Sequence, residues 1–279
     1  PLGPFETWPQ SLKTCIRIIL TSSQPMFVWW GPELINLYND PYRSILGGKH
    51  PDVLGMPASE VWKEIWDDVG PRATTCMEKN IGTYDEALLL IMERNGYPEE
   101  TYYTFSYSPI PGDFGGTNGI ICANTDDTLR IIGERQLRTL RDLGRTITGN
   151  TSDATVFEHT IDVLKENPHD FPFACIYQLE TESNTAIQVG TTQENVLPLH
   201  LKLDEAAADY WKFQEAIEFN KTLVISSVIE GFGNLPSGAW ARSPDNALVI
   251  PVNAAQSKVS ALLIVGLNPH RPLDEKYSS

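Results

Sequence analysis

A basic segment without proline separates two longer acidic parts of this chain. Residues 1–127 contain 8 basic and 17 acidic side chains, residues 128–150 contain 5 and 2, and residues 151–279 again contain 8 and 17. The basic segment carries apolar residues at spacings of 3, 8, 3 and 4, which are Leu129, Ile132, Leu140, Leu143 and Ile147. This spacing is near that of a coiled-coil seam and predicts one helix from Thr128 to Thr146. We therefore predict a domain at 1–127, a connector at 128–150 and a domain at 151–279.

The connector helix has two possible roles. Its apolar seam favours a dimer of two chains, because the seam lies between two globular blocks and not inside one of them. The alternative is a surface helix that packs on one domain. The pair Gly149-Asn150 provides a helix stop, and Asp153 is a candidate N-cap for the next helix.

Length and composition agree with two soluble domains. The chain has 279 residues, of which 41% are hydrophobic and 20% charged, and no apolar run is long enough to span a membrane. The net charge of −15 argues against nucleic acid or an anionic membrane as a partner. Four widely spaced cysteines, without a CxxC pair, fit a reducing compartment, and we expect the cytoplasm. Both ends look cut, and we expect a fragment of a longer protein.

The first acidic block predicts a sheet with helices on one face. An amphipathic helix is predicted over Ser11–Thr21, and two apolar runs around Gly31-Pro32-Glu33 predict a β-hairpin. After short helical pieces, three further strands are predicted: Tyr84–Met92, Thr101–Ile110 and Gly119–Asn124. This order predicts a five-stranded antiparallel sheet, with a pocket between the sheet and the helices.

The second acidic block predicts a similar α+β architecture. Helices are expected at Val156–Glu166 and Glu205–Phe219. Strands are expected at Phe173–Leu179, Ala186–Val189, Thr222–Ser226, Ala247–Pro251 and Val259–Leu267. The predicted fold class is therefore α+β, with two sensor-type domains that each pack an antiparallel sheet against helices.

Several stretches carry a family resemblance. In chain order they are Phe5-Glu-Thr-Trp-Pro-Gln-Ser-Leu, Met26-Phe-Val-Trp-Trp-Gly-Pro-Glu-Leu, Leu37-Tyr-Asn-Asp-Pro-Tyr-Arg, Gly48-Lys-His-Pro, Leu54-Gly-Met-Pro, Glu60-Val-Trp-Lys-Glu-Ile-Trp and Tyr103-Thr-Phe-Ser-Tyr-Ser-Pro-Ile. This series resembles the PAS-like sensor domain at the front of many sensor and hybrid histidine kinases. The stretch from Glu134 to Leu143 is similar to the connector helix of those proteins. The second block, ending in Leu263-Ile-Val-Gly-Leu-Asn-Pro-His-Arg-Pro-Leu-Asp, is similar to the GAF domain that follows.

The resemblance implies a cytoplasmic, dimeric input region of two-component signal transduction. Such parents usually continue into a histidine-bearing dimerisation domain, a kinase domain and often a receiver domain. The sequence shows no ATP-lid pattern, phosphoacceptor helix or receiver cluster. We expect no catalysis from this fragment, and a downstream kinase domain as the output.

Motifs for cofactors and catalysis are weak. No GxSxG elbow is present, and the five histidines show no metal-ligand spacing. None of the cysteines lies in the motif that the resemblance would require for covalent flavin, and Cys175, followed by Ile176, does not fit bilin attachment. His50 is the best placed haem ligand, although the simpler interpretation is a loop residue bonded to backbone. We predict no cofactor and no metal.

Aromatic residues are the candidates for a ligand pocket. Along Tyr102–Tyr107, strand alternation places Tyr103, Phe105 and Tyr107 on one sheet face. The candidates in the first domain are Trp30 (or Trp29), Tyr38, Tyr42, His50, Trp62, Tyr103, Phe105 and Tyr107. Those in the second domain are Tyr177, Trp211 and Phe232, the last within a glycine-rich loop over the sheet. Most of these side chains also fit an ordinary core.

We therefore expect a sensory input module that binds a small ligand or a partner and signals through a dimeric connector helix. One alternative is a protein interaction platform with filled cores. Another is an input module for a different output enzyme, such as a phosphatase or a cyclic-dinucleotide enzyme, and a third is a small-molecule enzyme. A cavity of a few hundred Å³ would favour a sensor, whereas filled cores would favour a platform.

Overall fold

The chain divides into two units, which are described separately. The computed structural model describes residues 2–145, 152–180, 182–194, 196–233, 235–253 and 259–273. Unit 1 comprises residues 1–132 and unit 2 comprises residues 133–279. The fifth helix runs across this division.

Helices and strands follow in this order. The helices are α1 (Gln10–Thr21), α2 (Arg43–Leu46), α3 (Ala58–Val61), α4 (Trp66–Lys79), α5 (Thr128–Gly144), α6 (Asp153–Lys165), α7 (Ala206–Tyr210), α8 (Phe213–Phe219) and α9 (Val228–Phe232). The strands are β1 (Met26–Trp30), β2 (Ile35–Tyr38), β3 (Thr83–Met92), β4 (Glu99–Pro111), β5 (Thr117–Asp126), β6 (Ala174–Glu180), β7 (Thr185–Thr191), β8 (His200–Lys202), β9 (Leu223–Ser226), β10 (Asn246–Asn253) and β11 (Val259–Gly266).

Unit 1 contains the predicted five-stranded antiparallel sheet. Its strand order is β2-β1-β5-β4-β3, and Trp29 of β1 lies opposite Ile120 of β5. Alternation along β1 sends Phe27 and Trp29 to one face and Val28 and Trp30 to the other. The first face packs against α2, α3 and α4, and the second is covered by α1 through Leu12 and Ile19.

Helix α1 is held at its start by a residue distant in the sequence. The backbone amides of Gln10 and Ser11 donate to the two carboxylate oxygens of Asp113, at 2.8 and 3.0 Å. Asp113 lies in the loop between β4 and β5. A carboxylate at this position satisfies orphan amides and complements the helix dipole. The contact fixes α1 to the end of the sheet it covers.

Unit 2 contains a six-stranded antiparallel sheet with the order β8-β7-β6-β11-β10-β9. One face packs on α7, α8 and α9, with Trp211 and Phe213 fully buried. The other face packs on α6 through Phe157 and Ile161. Both sheets are antiparallel and flanked by helices, which confirms the predicted fold class.

Three local features of unit 2 differ from the prediction. The single helix expected at Glu205–Phe219 is two helices, because Lys212 adopts a left-handed conformation with φ of 52°. The sequence pattern does not predict strand β8 or helix α9. Helix α6 is capped by Ser152, whose hydroxyl accepts from the Thr155 amide, and not by Asp153.

Helix α5 forms over most of the predicted connector, but its exposed apolar residues differ from the predicted seam. Ile132 is buried and Leu143 is partly buried, whereas Leu129, Leu137 and Leu140 are 89%, 67% and 65% exposed. The predicted residues Ile147, Gly149 and Asn150 lie outside the described residues. We call Leu129, Leu137 and Leu140 the α5 stripe. In the described part of the chain, we find no helix with the length and hydrophobicity to cross a membrane.

Candidate functional site

The inner face of the unit 1 sheet encloses a very small cavity. Its volume is about 30 Å³, enough for one or two water molecules and far below the roughly 300 Å³ of a small-molecule pocket. Five predicted pocket residues line it: Tyr42, Trp62, Tyr103, Phe105 and Tyr107. The shared face of the last three confirms the alternation predicted along β4. The aromatic side chains themselves fill the space expected for a ligand.

The other three candidates of unit 1 lie elsewhere. Trp30 packs beneath α1 on the opposite sheet face, and Trp29 lines the cavity in its place. The hydroxyl of Tyr38 lies 2.9 Å from Nδ1 of His50. This hydrogen bond gives the His50 ring a side-chain partner, where the sequence suggested backbone.

The polar groups that line the cavity are uncharged: they include buried tyrosine hydroxyls and the side-chain amide of Asn124. Burial raises the pKa of Tyr42 and Tyr107, because the phenolate form would lose its hydration. Asn124 is 6% exposed and also lines the cavity, where its side-chain nitrogen donates to no described residue. A water molecule is the occupant that this combination of size and polarity fits.

Unit 2 has a much larger opening, which we call the cleft. Its volume is about 780 Å³, within the range of ligand sites. Helix α9, the residues after β7 and the segment from Leu235 to Ser243 form its walls. The lining residues are Gln193, Val196, Ile229, Phe232, Leu235, Pro236, Ser237, Ala241, Arg242 and Ser243.

Phe232 is the predicted candidate of unit 2 that lines the cleft. Its ring stacks on Trp211, with centroids 5.1 Å apart. Trp211 is fully buried behind it, and its indole Nε1 makes no hydrogen bond with a described residue. Tyr177 lies in the core, where its hydroxyl donates to the carbonyl of Pro198 at 2.6 Å. The predicted aromatic set therefore divides into one lining residue and two core residues.

The cleft combines an apolar wall with a polar one. Val196, Ile229 and Phe232 contribute apolar surface, whereas Gln193, Ser237 and Arg242 contribute polar groups. Arg242 is the one charged side chain among the described lining residues, and its guanidinium makes no ion pair with another described residue. Arg242 is exposed and, within the described ranges of this acidic chain, has no carboxylate partner, so it can contact a carboxylate or phosphate group. Sequence reasoning missed Arg242 and Gln193, which lie far apart along the chain and belong to no motif.

The cysteines are poor nucleophiles. Burial raises the pKa of Cys175 to about 11, and it also raises the pKa of Cys76 and Cys122. A thiol with a raised pKa carries little thiolate at neutral pH. Across the ranges that the structure describes, no three His, Cys, Asp or Glu side chains are placed to hold a metal ion.

Comparisons with known proteins give structural similarity without sequence similarity. No family model matches the chain, and no curated protein matches its sequence. The structure of fRMsr of Staphylococcus aureus in complex with substrate has a TM-score of 0.38 and 15% identity, and it covers 52% of this chain and 86% of that chain. The GAF domain of an Acinetobacter phosphoenolpyruvate-protein phosphotransferase has a TM-score of 0.36 and 18% identity, covering 51% and 83%. The PAS domain of Bordetella pertussis BvgS has a TM-score of 0.31 and 19% identity, covering 47% and 98%.

Proposed function

We propose that this chain is a sensory input module that binds a small ligand in the cleft of unit 2 and signals as a dimer through α5. The observation that carries the proposal is the cleft itself, which combines a ligand-sized volume of about 780 Å³ with an apolar wall and an arginine that forms no ion pair with another described residue. The family resemblance in the sequence supports a histidine kinase as the parent, with the kinase domain following this region.

The cleft lining favours one class of ligand. A small molecule of this class has an apolar or aromatic body that packs on Phe232 and Ile229, and a carboxylate or similar anionic group that reaches Arg242. Hydrogen bonds between a charged donor and a charged acceptor are stronger than neutral ones. Ser237 and Gln193 provide further polar partners at the same wall.

Unit 1 has a different role in this proposal. Its cavity of about 30 Å³ has no room for a small-molecule ligand. The filled core favours contact with another protein, which is the interaction-platform alternative restricted to one unit. Phe114 in the β4–β5 loop and Tyr84 at the start of the edge strand β3 are large exposed hydrophobic side chains that such a partner would cover.

A panel of charge-matched probes tests the ligand class. Thermal shift and titration calorimetry would compare phenylacetate and benzoate with phenethylamine and benzylamine. We expect the carboxylates to raise the melting temperature and the amines to have no effect. The Arg242→Gln variant should weaken carboxylate binding by about tenfold or more, the size of a lost charged hydrogen bond.

The control variant is Arg138→Gln, which removes an exposed arginine of α5 outside the cleft lining. It should bind the carboxylates as the unmodified chain does. Equal responses to amines and carboxylates, or the same loss of affinity in both arginine variants, would overturn the proposed ligand site.

A further inference from the structure

The segment Leu235–Ser243, which we call the cleft loop, has two sides with different contacts. Leu235, Ser237 and Arg242 line the cleft. Ser243 also lines it, and its hydroxyl donates to the Leu235 carbonyl at 2.6 Å, which closes the loop on itself. The middle of the loop turns away from the cleft and packs on the segment that follows α6.

Trp240 makes most of these second contacts. It is 6% exposed, and its indole Nε1 donates to the carbonyl of His169 at 2.8 Å. Its ring lies 5.0 Å from the His169 ring and 4.9 Å from the His270 ring, edge to face in both cases. The amide of Ala239 donates to the Pro168 carbonyl at 3.2 Å. The cleft loop is therefore fixed to the residues that directly precede Asp170 and Arg271.

Asp170 is the centre of a buried polar group that we call the Asp170 cluster: Arg135, Asn167, Asp170 and Arg271. The carboxylate is 3% exposed and accepts two hydrogen bonds from Arg135 of α5, at 3.0 and 2.6 Å. It accepts a third from the side chain of Asn167 at 3.0 Å, and Arg271 lies 3.9 Å away. Arg135 lies in the helix that enters unit 2, and Arg271 lies in the segment that leaves β11.

A buried carboxylate that loses its cationic partners is left as an uncompensated charge, which strongly destabilises the folded state. Any displacement of residues 167–170 must therefore move Arg135 and Arg271 as well, or break the cluster. His169 and His270, which hold Trp240 from two sides, are the chain neighbours of Asp170 and Arg271. A shift of Trp240 thus acts on both ends of the cluster.

We propose that Trp240 couples the cleft to the Asp170 cluster, so that a ligand that moves the cleft loop changes how firmly residues 133–144 of α5 and residues 267–271 are held. This coupling connects the cleft to helix α5 and to the segment after β11, and it requires no movement of the sheet strands. It rests on the proposed function for the ligand that moves the loop.

Hydrogen exchange of the ligand-free chain, followed by mass spectrometry, tests the coupling. The Ser243→Ala variant removes the bond that closes the cleft loop on the cleft side. We expect faster exchange in 235–243 and also, by about fivefold, in 133–144 and 267–271, which is the lower end of the range for coupled sites. The matched control is Ser183→Ala, which removes a hydroxyl bonded to Glu180 in the turn between β6 and β7 and should leave those segments unchanged.

The Trp240→Phe variant keeps a ring between the two histidines but removes the bond to the His169 carbonyl. In this background, Ser243→Ala should accelerate exchange in the cleft loop without a further increase in 133–144, because the removed bond leads through His169 and Asp170 to Arg135 of α5. An effect of Ser243→Ala that stays within 235–243 would overturn the coupling, and so would an undiminished increase in 133–144 in the double variant. Because no ligand is used, a failure here leaves the carboxylate result intact, and a failure of carboxylate binding leaves this result intact.

Discussion

Single hydrogen-bonding side chains hold surface helices and loops of this protein in place against its sheets. Asp113 is the clearest case in unit 1, because its carboxylate holds the first amides of α1 from the far end of the β4–β5 hairpin. Hydrogen bonds from Ser11 and from the Gln10 amide lower the pKa of Asp113. A lowered pKa means that the folded state favours the charged carboxylate. The attachment of α1 therefore depends on that charge.

Replacement of this carboxylate should give a pH-dependent loss of stability. The Asp113→Ala variant should melt at a lower temperature than the unmodified chain at pH 7. The contribution of Asp113 is fully present above its unfolded pKa of about 3.9 and is lost as the pH falls through its lower folded value. Melting curves between pH 7 and pH 3 should therefore converge at the acid end. A constant difference across this range would show that the charge has no part in holding α1.

At the scale of elements, the sequence predicts helix α5 correctly but not which of its apolar side chains are exposed. The sequence predicts a seam through Leu129, Ile132, Leu140 and Leu143, whereas the structure buries Ile132 and exposes Leu137. The remaining stripe has spacings of 8 and 3 between Leu129, Leu137 and Leu140, which still follow one face of a helix. An exposed leucine stripe on a basic helix is the surface that we propose as the dimer contact.

Replacement of two leucines of the α5 stripe by aspartate tests the proposed dimer. The double variant Leu137→Asp and Leu140→Asp should raise the dimer dissociation constant at least tenfold, because two carboxylates would be buried in the contact. Sedimentation velocity over a concentration series measures this constant. The control is Leu199→Asp, since Leu199 is 66% exposed and precedes the edge strand β8. Equal dissociation constants in all three proteins would exclude the stripe as the contact.

Elements with a regular pattern or a clear turn signal are predictable, including the four-residue strands β2 and β9, whereas β8 and the break between α7 and α8 are not. Strand β4 spans Glu99–Pro111 and shows alternation over many residues, so its inner face could be predicted. Strand β8 has three residues, too few for alternation to be visible. The break at Lys212 lies within a continuous helical pattern, and a left-handed lysine has no sequence signature. Regular alternation and turn residues therefore predict most strands of the two sheets, whereas a backbone reversal such as that at Lys212 has no pattern in the sequence.

The candidate site was predictable only in part, for a related reason. Phe232 is predictable because an aromatic residue among several glycines stands out in the sequence, although the structure places it at the end of α9 and not in a loop. Arg242, Gln193 and the Asp170 cluster come together through tertiary packing of distant segments, which no spacing rule describes. The closure of the unit 1 pocket depends on how the volumes of Trp29, Tyr42 and Tyr107 fit together, and sequence gives the aromatic residues but not the space between them.

At the scale of the whole molecule, sensing and transmission are assigned to different places. Unit 1 has a filled core, unit 2 has the cleft, and α5 runs across the division between them. A ligand changes the state of such a protein only if it binds one conformation better than the other. In our account the cleft loop provides that difference, the Asp170 cluster holds α5, and the α5 stripe joins two chains.

The most direct test of this account is native mass spectrometry of the purified chain with phenylacetate, beside its denatured mass. The account predicts an assembly with the mass of two chains that carries bound phenylacetate, and one unmodified chain mass after denaturation. A single chain without bound phenylacetate at every concentration tested would contradict it, because neither the dimer contact nor the ligand site would then exist.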